Sequence, residues 1–314
     1  MMMQFASRRS HIRAGLALAG LALIVWQFTP PASGQGVPPG SAARPDPAPP
    51  PAAPAKRTWA PVGTFSSSAI CECSGLARSR RHPGVFWTHN DSGNPPELFA
   101  VKLTGELVGR VLIADAVNED WEDIAIDDRG HIFIGDLGDN FAQYGERVIY
   151  ELLEPETLAE RMDPIKPLKV WKLRYPEQHY DCEALFVRGR TLYIIPKLRR
   201  QDPPLLRLDP AEGDRLIPHV VGHLPVRMVT AADVSDEGRT LAVLTYGRLL
   251  VFPLGDELAD LGRTTPRAVS FPARYQTEAC AFDGGDVIVA AESKEIFRVT
   301  AEDIALGTRF VNAP

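Results

Sequence analysis

Five oxygen-bearing residues recur along this chain at nearly even intervals: Ser74, Glu122, Glu183, Thr230 and Glu278, separated by 48, 61, 47 and 48 residues. Each opens a short apolar run that leads through a turn into a second apolar run. In the clearest copy, Glu122–Asp127 is followed by the turn Asp128-Arg129-Gly130 and then by His131–Gly135. The other copies join Ser74–Ala77 to Val85–Asn90, Glu183–Phe186 to Leu192–Lys197, Thr230–Val234 to Leu241–Tyr246, and Glu278–Phe282 to Val287–Glu292. Three carboxylates and two hydroxyls are hard ligands. They suit Ca2+, with waters completing the shell, whereas zinc would ask for His or Cys. Glutamates crowded around one narrow opening repel each other, so they either take up protons or draw in a cation. The competing reading is a water-filled pore whose carboxylates bond the amides of neighbouring strands.

Such residues need a frame that brings distant parts of the chain to one place. A period near 50 residues, built from short strands and Gly/Asp turns, is the signature of propeller blades. The expected fold is all-β: a five-bladed β-propeller of four-stranded blades. Further strands complete each blade: 98–103 and 107–113, 148–153 and 168–173, 205–208 and 216–224, 249–253 and 268–271, and finally 296–299. The last blade lacks an outer strand and Trp59–Phe65 is a spare one, so this N-terminal strand is expected to close the ring and protect its open edge. No long helix is expected; 155–163 reads as one or two helical turns.

In a propeller the first strand of each blade lines the channel, and the second returns to the same face. The starts of the first strands therefore meet the ends of the second strands. Those ends supply His89, Asn90 and Asp91; Asp136, Asp139 and Asn140; Lys197, Arg199 and Arg200; Tyr246 and Arg248; Glu292 and Lys294. A cation held by carboxylates beside guanidinium groups is the equipment for phosphate esters and anhydrides. On this reading Ser74, Glu122, Glu183, Thr230 and Glu278 hold the metal, and Asp91 or Asp136 orients water. Lys197, Arg199 and Arg200, with His89 and Asn90, receive the substrate. The plainer readings are that Lys-Leu-Arg-Arg is a solvated loop and that the Asn-Asp and Asp-Asn pairs only shape turns. His89, Asp91 and Ser92 are too close in sequence to face one another as a triad, and no nucleophile elbow is present.

Residues 1–13 carry Arg8, Arg9 and Arg13 and no acid, and an apolar run covers 14–26 with Ala32-Ser33-Gly34 behind it. This describes a secretory signal over 1–34, the alternative being an uncleaved membrane anchor. Residues 35–56 are Pro/Ala/Gly-rich and expected to be an extended tether. The remaining 57–314 suffices for one sizeable all-β domain. The net charge is −6, or −9 without the three early arginines. An acidic exported domain argues against nucleic acid, whose phosphates need a basic face. The expectation is therefore a periplasmic or extracellular monomer, in contact with a membrane only through an uncleaved N-terminal segment. Four cysteines in an exported chain suggest disulfides, and Cys182 is placed to reach Cys71 or Cys73. Cys280 reads as core packing.

The pattern resembles the calcium-activated nucleotidases (apyrases). The resemblance rests on Ser-Gly-Leu at 74–76, on Glu122 before Ile-Phe-Ile-Gly-Asp-Leu-Gly at 132–138, and on Glu-Ala at 183–184 before Ile-Pro-Lys-Leu-Arg-Arg at 195–200, with Thr230 and Glu278 completing it. It implies a five-bladed propeller with Ca2+ in its channel. The fourth repeat departs, ending in Thr245-Tyr246-Gly247 without a basic residue. The His-Asn-Asp-Ser-Gly and Trp-Glu-Asp-Ile-Ala stretches are similar to uncharacterised exported bacterial propellers akin to the esterase-like phytase and SdiA-regulated families. The chemistry expected is thus a calcium-dependent phosphohydrolase, the alternative being a non-enzymatic propeller that binds a protein or glycan partner through its upper face.

Overall fold

The computed structural model describes residues 56–139, 146–175 and 179–312. The expected leader, nearly all of the expected tether, and Asn140 lie outside the described residues.

Two short strands come first, β1 (Lys56–Trp59) and β2 (Gly63–Thr64). A first meander follows: β3 (Cys73–Arg78), β4 (Val85–Asn90), β5 (Glu97–Lys102) and β6 (Leu107–Leu112). The second is β7 (Trp121–Ile126), β8 (His131–Asp136), β9 (Arg147–Leu153) and β10 (Lys169–Leu173). The third is β11 (Cys182–Arg188), β12 (Thr191–Pro196), β13 (Pro204–Pro210) and β14 (Arg215–His223). The fourth is β15 (Val229–Val234), β16 (Thr240–Thr245), β17 (Arg248–Pro253) and β18 (Arg267–Ser270). The last is β19 (Thr277–Asp283), β20 (Asp286–Ala291) and β21 (Glu295–Val299), followed by α1 (Ala301–Leu306) and β22 (Arg309–Asn312).

Each repeat folds on itself because its turn chemistry demands it. In the β7–β8 turn, Gly130 takes φ 80°, a backbone state that a side chain would penalise. Asp127 Oδ1 accepts from the amides of Arg129 (2.9 Å) and His131 (2.8 Å), the side-chain turn that Asp favours. Successive first strands pack side by side: β3 on β7, β7 on β11, β11 on β15, β15 on β19, and β19 back on β3. The core is divided accordingly into five apolar clusters, each shared by two neighbouring meanders. Trp87 and Trp121 fill the first–second cluster and are fully buried. The fold is all-β and propeller-like.

Among the described residues the hydrogen-bonded sheets number four rather than five. The second and third meanders join into one sheet of eight strands, because β10 and β14 pair in parallel at Lys172–Arg215 and Leu173–Leu216. The N-terminal strand is also divided. Only β2 pairs with β21 and completes the last sheet. β1 instead runs parallel to β22, and β22 touches β18, so both extend the fourth sheet. Trp59 explains the split. Its ring stacks between Phe271 (4.6 Å) and Phe297 (4.3 Å), which pins the chain where the fourth and fifth meanders meet. No helix forms over 155–163; Leu158 and Met162 pack there against the first–second cluster. A short helix appears instead at α1, started by a capping box in which Thr300 and Asp303 exchange hydrogen bonds. No helix among the described residues is long and apolar enough to cross a membrane.

Candidate metal centre

All five first strands carry a register shift against their second strand at one level. It falls between Cys73 and Gly75, Trp121 and Asp123, Cys182 and Ala184, Val229 and Ala231, and Thr277 and Ala279. The residues stepped over are Ser74, Glu122, Glu183, Thr230 and Glu278. A β-bulge removes one residue from the ladder, bends the strand and re-aims that side chain. The recurring oxygen-bearing residues are thus the bulged residues.

Their side chains do different things. Ser74 Oγ donates to Glu122 O (3.0 Å), and Thr230 Oγ1 donates to Thr277 O (2.9 Å), so the hydroxyls latch each strand to a neighbour. Glu183 forms an ion pair with Lys197. Burial lowers the Lys197 ammonium pKa, but Glu183 beside it more than offsets this and holds it above the usual lysine range. Glu278 is bonded by the Tyr246 phenol. Burial, then the nearby Glu292, pushes Glu278 up to about 7.

Among the described residues, Glu122 and Glu183 are drawn into a larger acidic cluster and Glu278 is not. The ligand oxygens of Asp91, Asp120 and Glu122 all lie within 4.8 Å of one another, as do those of Glu122, Asp181 and Glu183. Two oxygens on one Ca2+ at about 2.4 Å each stand at most about 4.8 Å apart, so either group can share an ion. Glu122 is 5% exposed and Asp120 8%, and among the described residues neither carboxylate accepts a hydrogen bond or joins an ion pair. Burial, then Glu183, Asp91 and Asp120, raises Glu122 well above the ordinary glutamate value. Burial, then Asp91 and Asp181, pushes Asp120 up to about 6, and burial brings Glu183 to about 7 against the pull of Lys197. A cation would relieve all three.

The backbone packs closely around the cluster. Amides of Leu137 and Gly138 donate to Asp120 O (3.1 and 3.2 Å), and Arg147 donates to Gly138 O (2.6 Å). The Asp139 amide donates to Asp181 Oδ1 (2.8 Å). Gly138 is thereby pressed against the carboxylates: a Cβ there would stand 2.5 Å from Asp120 Cγ and inside contact distance of Glu122 Oε1. These residues fit a hard divalent cation.

The other predicted residues are placed as follows. Asp91 sits half-buried in the cluster, raised by burial and lowered by the Ser92 amide. Asp136 accepts the amides of Asp120 (2.8 Å) and Glu119 (3.4 Å); it positions the loop that carries Asp120, and burial pushes it up to about 6. His89 is wholly buried, its Nδ1 meets Asn90 O (3.0 Å), and its ring stands edge-on to Trp121 at 5.6 Å. Burial lowers it to about 4. Asn90 accepts the amides of Cys71 (2.9 Å) and Glu72 (3.2 Å) and donates to Ala69 O (2.8 Å), which braces the approach to β3. Arg199 and Arg200 are exposed beyond β12 and form no ion pair among the described residues. The four cysteines are free thiols. The expected bridge does not form: Cys73 is buried in the first–fifth cluster and Cys182 in the second–third. Cys280 packs in the core as expected.

Sequence reasoning overlooked Asp120, Asp181 and Gly138. A signal was present: Asp-Trp-Glu at 120–122 and Asp-Cys-Glu at 181–183 repeat an acid two places before the bulged glutamate. It also overlooked Asp123, which is wholly buried. Asp123 accepts amides from its own strand at Ile124 (2.9 Å), from β11 at Leu185 (2.9 Å) and from β15 at Ala232 (3.2 Å).

No protein-family model matches the chain, and no curated protein matches it. Among solved structures, it is similar to the major Malassezia sympodialis allergen Mala s 1, at 9% identity and a TM-score of 0.49, over 76% of this chain and 94% of that one. It is also similar to the Dos1 propeller, at 12% identity and a TM-score of 0.36, over 73% of this chain and 56% of that one.

Proposed function

We propose that this chain is an exported five-bladed β-propeller that holds Ca2+ in an off-axis carboxylate cluster and acts as a calcium-dependent phosphohydrolase on phosphate esters or anhydrides. In the five-blade reading, the eight-stranded sheet is two blades joined at their outer strands. The ring of first strands and the five two-meander clusters support it. Residues 1–34 are read as the secretory signal and 35–56 as the tether.

One observation carries the metal reading: Glu122 and Asp120 are buried carboxylates set against Asp91, and the described residues give them neither hydrogen bond nor ion pair. Buried charge without a partner is costly enough that it is neutralised or paired. Asp91, Asp120 and Glu122 would hold the ion, with Asp181 and Glu183 adjoining. When bound, the cation supplies polarisation of a phosphoryl oxygen. Asp91, on the open side, orients water, and Arg199 and Arg200 are free to neutralise phosphate charge. The test is phosphate release by the full-length protein from a panel of phosphomonoesters, diesters and nucleotides, in Ca2+ and in EGTA. Release that EGTA abolishes and that Glu122→Gln lacks supports the reading; release indifferent to both overturns it.

A second reading has its own support. Of the five residues assigned to substrate, Lys197 is tied to Glu183, and His89 and Asn90 are engaged in the fold, leaving Arg199 and Arg200. A calcium-stabilised propeller that binds a protein or glycan through its upper face needs no more than this. A calcium-dependent rise in melting temperature, with no phosphate release from any substrate, favours it.

A further inference from the structure

The two carboxylate groups share Glu122: one is Asp91, Asp120 and Glu122, the other Glu122, Asp181 and Glu183. A carboxylate common to two triads is the arrangement of adjoining cation positions, where one side chain bridges both. The positions are not equivalent in this protein. The second contains a positive charge already, because Lys197 Nζ is paired with Glu183. In the first, Asp120 and Glu122 form no ion pair among the described residues, and the positive charges of Arg147 and Lys197 act on them only from a distance. Lys197 is also held at its backbone, its amide donating to Asp181 O (2.9 Å), so its stem starts at the second position and its ammonium returns into it.

Building on the calcium reading above, we propose that Lys197 is a built-in counter-cation that fills the second of two adjoining cation positions, so that the cluster takes one Ca2+ where it would otherwise take two. The ammonium does for Glu183 and Glu122 what a second ion would do. It keeps the second position closed at any Ca2+ level, and it fixes the number of ions by sequence rather than by concentration. A unit positive charge beside the first position also weakens Ca2+ there by Coulomb repulsion. Lys197 is thereby a determinant of both stoichiometry and affinity, and not a residue that receives substrate.

The experiment is calorimetric titration of the metal-stripped full-length protein with Ca2+, for the wild type, Lys197→Met and Lys197→Arg. The expected stoichiometries are one, two and one. The first equivalent should bind about tenfold more tightly in Lys197→Met, since the repelling charge is gone. Lys197→Gln, which still donates a hydrogen bond to Glu183, is the second neutral variant if Lys197→Met melts without cooperativity. The double variant Lys197→Met/Glu183→Gln should return to one equivalent, because the second position then lacks its own carboxylate. Two equivalents in the wild type, or one in both neutral variants at wild-type affinity, overturns the proposal. No binding to the wild type with one equivalent in Lys197→Met overturns both the calcium reading of the native protein and the one-ion stoichiometry proposed here. No binding to any of them overturns both.

Discussion

Gly138→Ala is the sharpest test of the proposed cation position, because it adds one methyl group and leaves every proposed ligand chemically unchanged. The added Cβ would stand 2.5 Å from Asp120 Cγ. Carbon atoms pack at about 3.5–4.0 Å, so the carboxyl group must retreat by about 1 Å. Glu122 Oε1 lies still nearer and must move as well. Metal–ligand distances are held to about 0.2 Å, so a displacement of this size breaks coordination. The expected loss of Ca2+ affinity is at least about 100-fold, or ~2.8 kcal/mol. The readout is a pair of melting curves. At a Ca2+ level about 100 times the wild-type Kd, the wild type gains ~2.7 kcal/mol. In a domain of this size that is a rise of roughly 5–10 °C. At the same Ca2+ level the variant gains only about 0.4 kcal/mol, a rise of roughly 1 °C. A variant that melts cooperatively without calcium and shows the full wild-type rise with it would refute the placement of the ion between Asp120 and Glu122.

The remaining predictions concern protons and the frame. Glu183 and Glu278 sit at about 7 in the folded protein against 4.5 for an ordinary glutamate; the folded state then holds protons more tightly than the unfolded one, and stability falls as pH rises from about 4.5 through 7. Calcium-free protein should therefore melt lower at pH 8 than at pH 5.5, and Ca2+ affinity should climb over the same interval as the carboxylates ionise; a flat affinity profile would count against the cluster. Asp123→Ala leaves amides on three strands without their acceptor, at ~1–3 kcal/mol for each unsatisfied group, so a loss of about 3 kcal/mol is expected as a lower urea midpoint with an unchanged slope. Trp59→Ala should cost about 3–5 kcal/mol, and a wild-type midpoint would mean that the N-terminal strand is not part of the cooperative unit.

The repeats were legible because each carries its own instructions: a bulged oxygen-bearing residue, an apolar run, and a turn. Strand positions followed, mostly within a residue or two. The tail was not legible. Residues 301–306 show too little apolar periodicity to announce a helix, and only the Thr300/Asp303 capping pair marks it. β22 could be placed only by knowing that β18 offers an edge there. The divided N-terminal strand is a similar case, since Trp59 is fixed by three rings from distant positions: Phe271, Phe297 and Phe310. For the site, sequence spacing identified the residue that each first strand steps over at its bulge. It could not say which of the five would meet. Glu122 and Glu183 stand on neighbouring strands, and the loop at 137–139 presses the acids of their turns together. Glu278 belongs to a strand further around the ring and finds Tyr246 instead.

Asp123 has a consequence for how the chain reaches its final form. Two of the three amides that hold its carboxylate lie 62 and 109 residues further along. Until the third meander is delivered that carboxylate has only its own strand to bond, and until the fourth is delivered it still lacks the β15 amide. The inner wall therefore cannot dry progressively from the N-terminal end. Its desolvation waits for β15, and the last sheet in turn waits for β2 from the opposite end of the domain. Assembly is expected to be late, concerted and slow, in the manner of β architectures dominated by long-range pairing. A chain interrupted before residue 232 would keep a hydrated, open interior rather than a smaller stable ring.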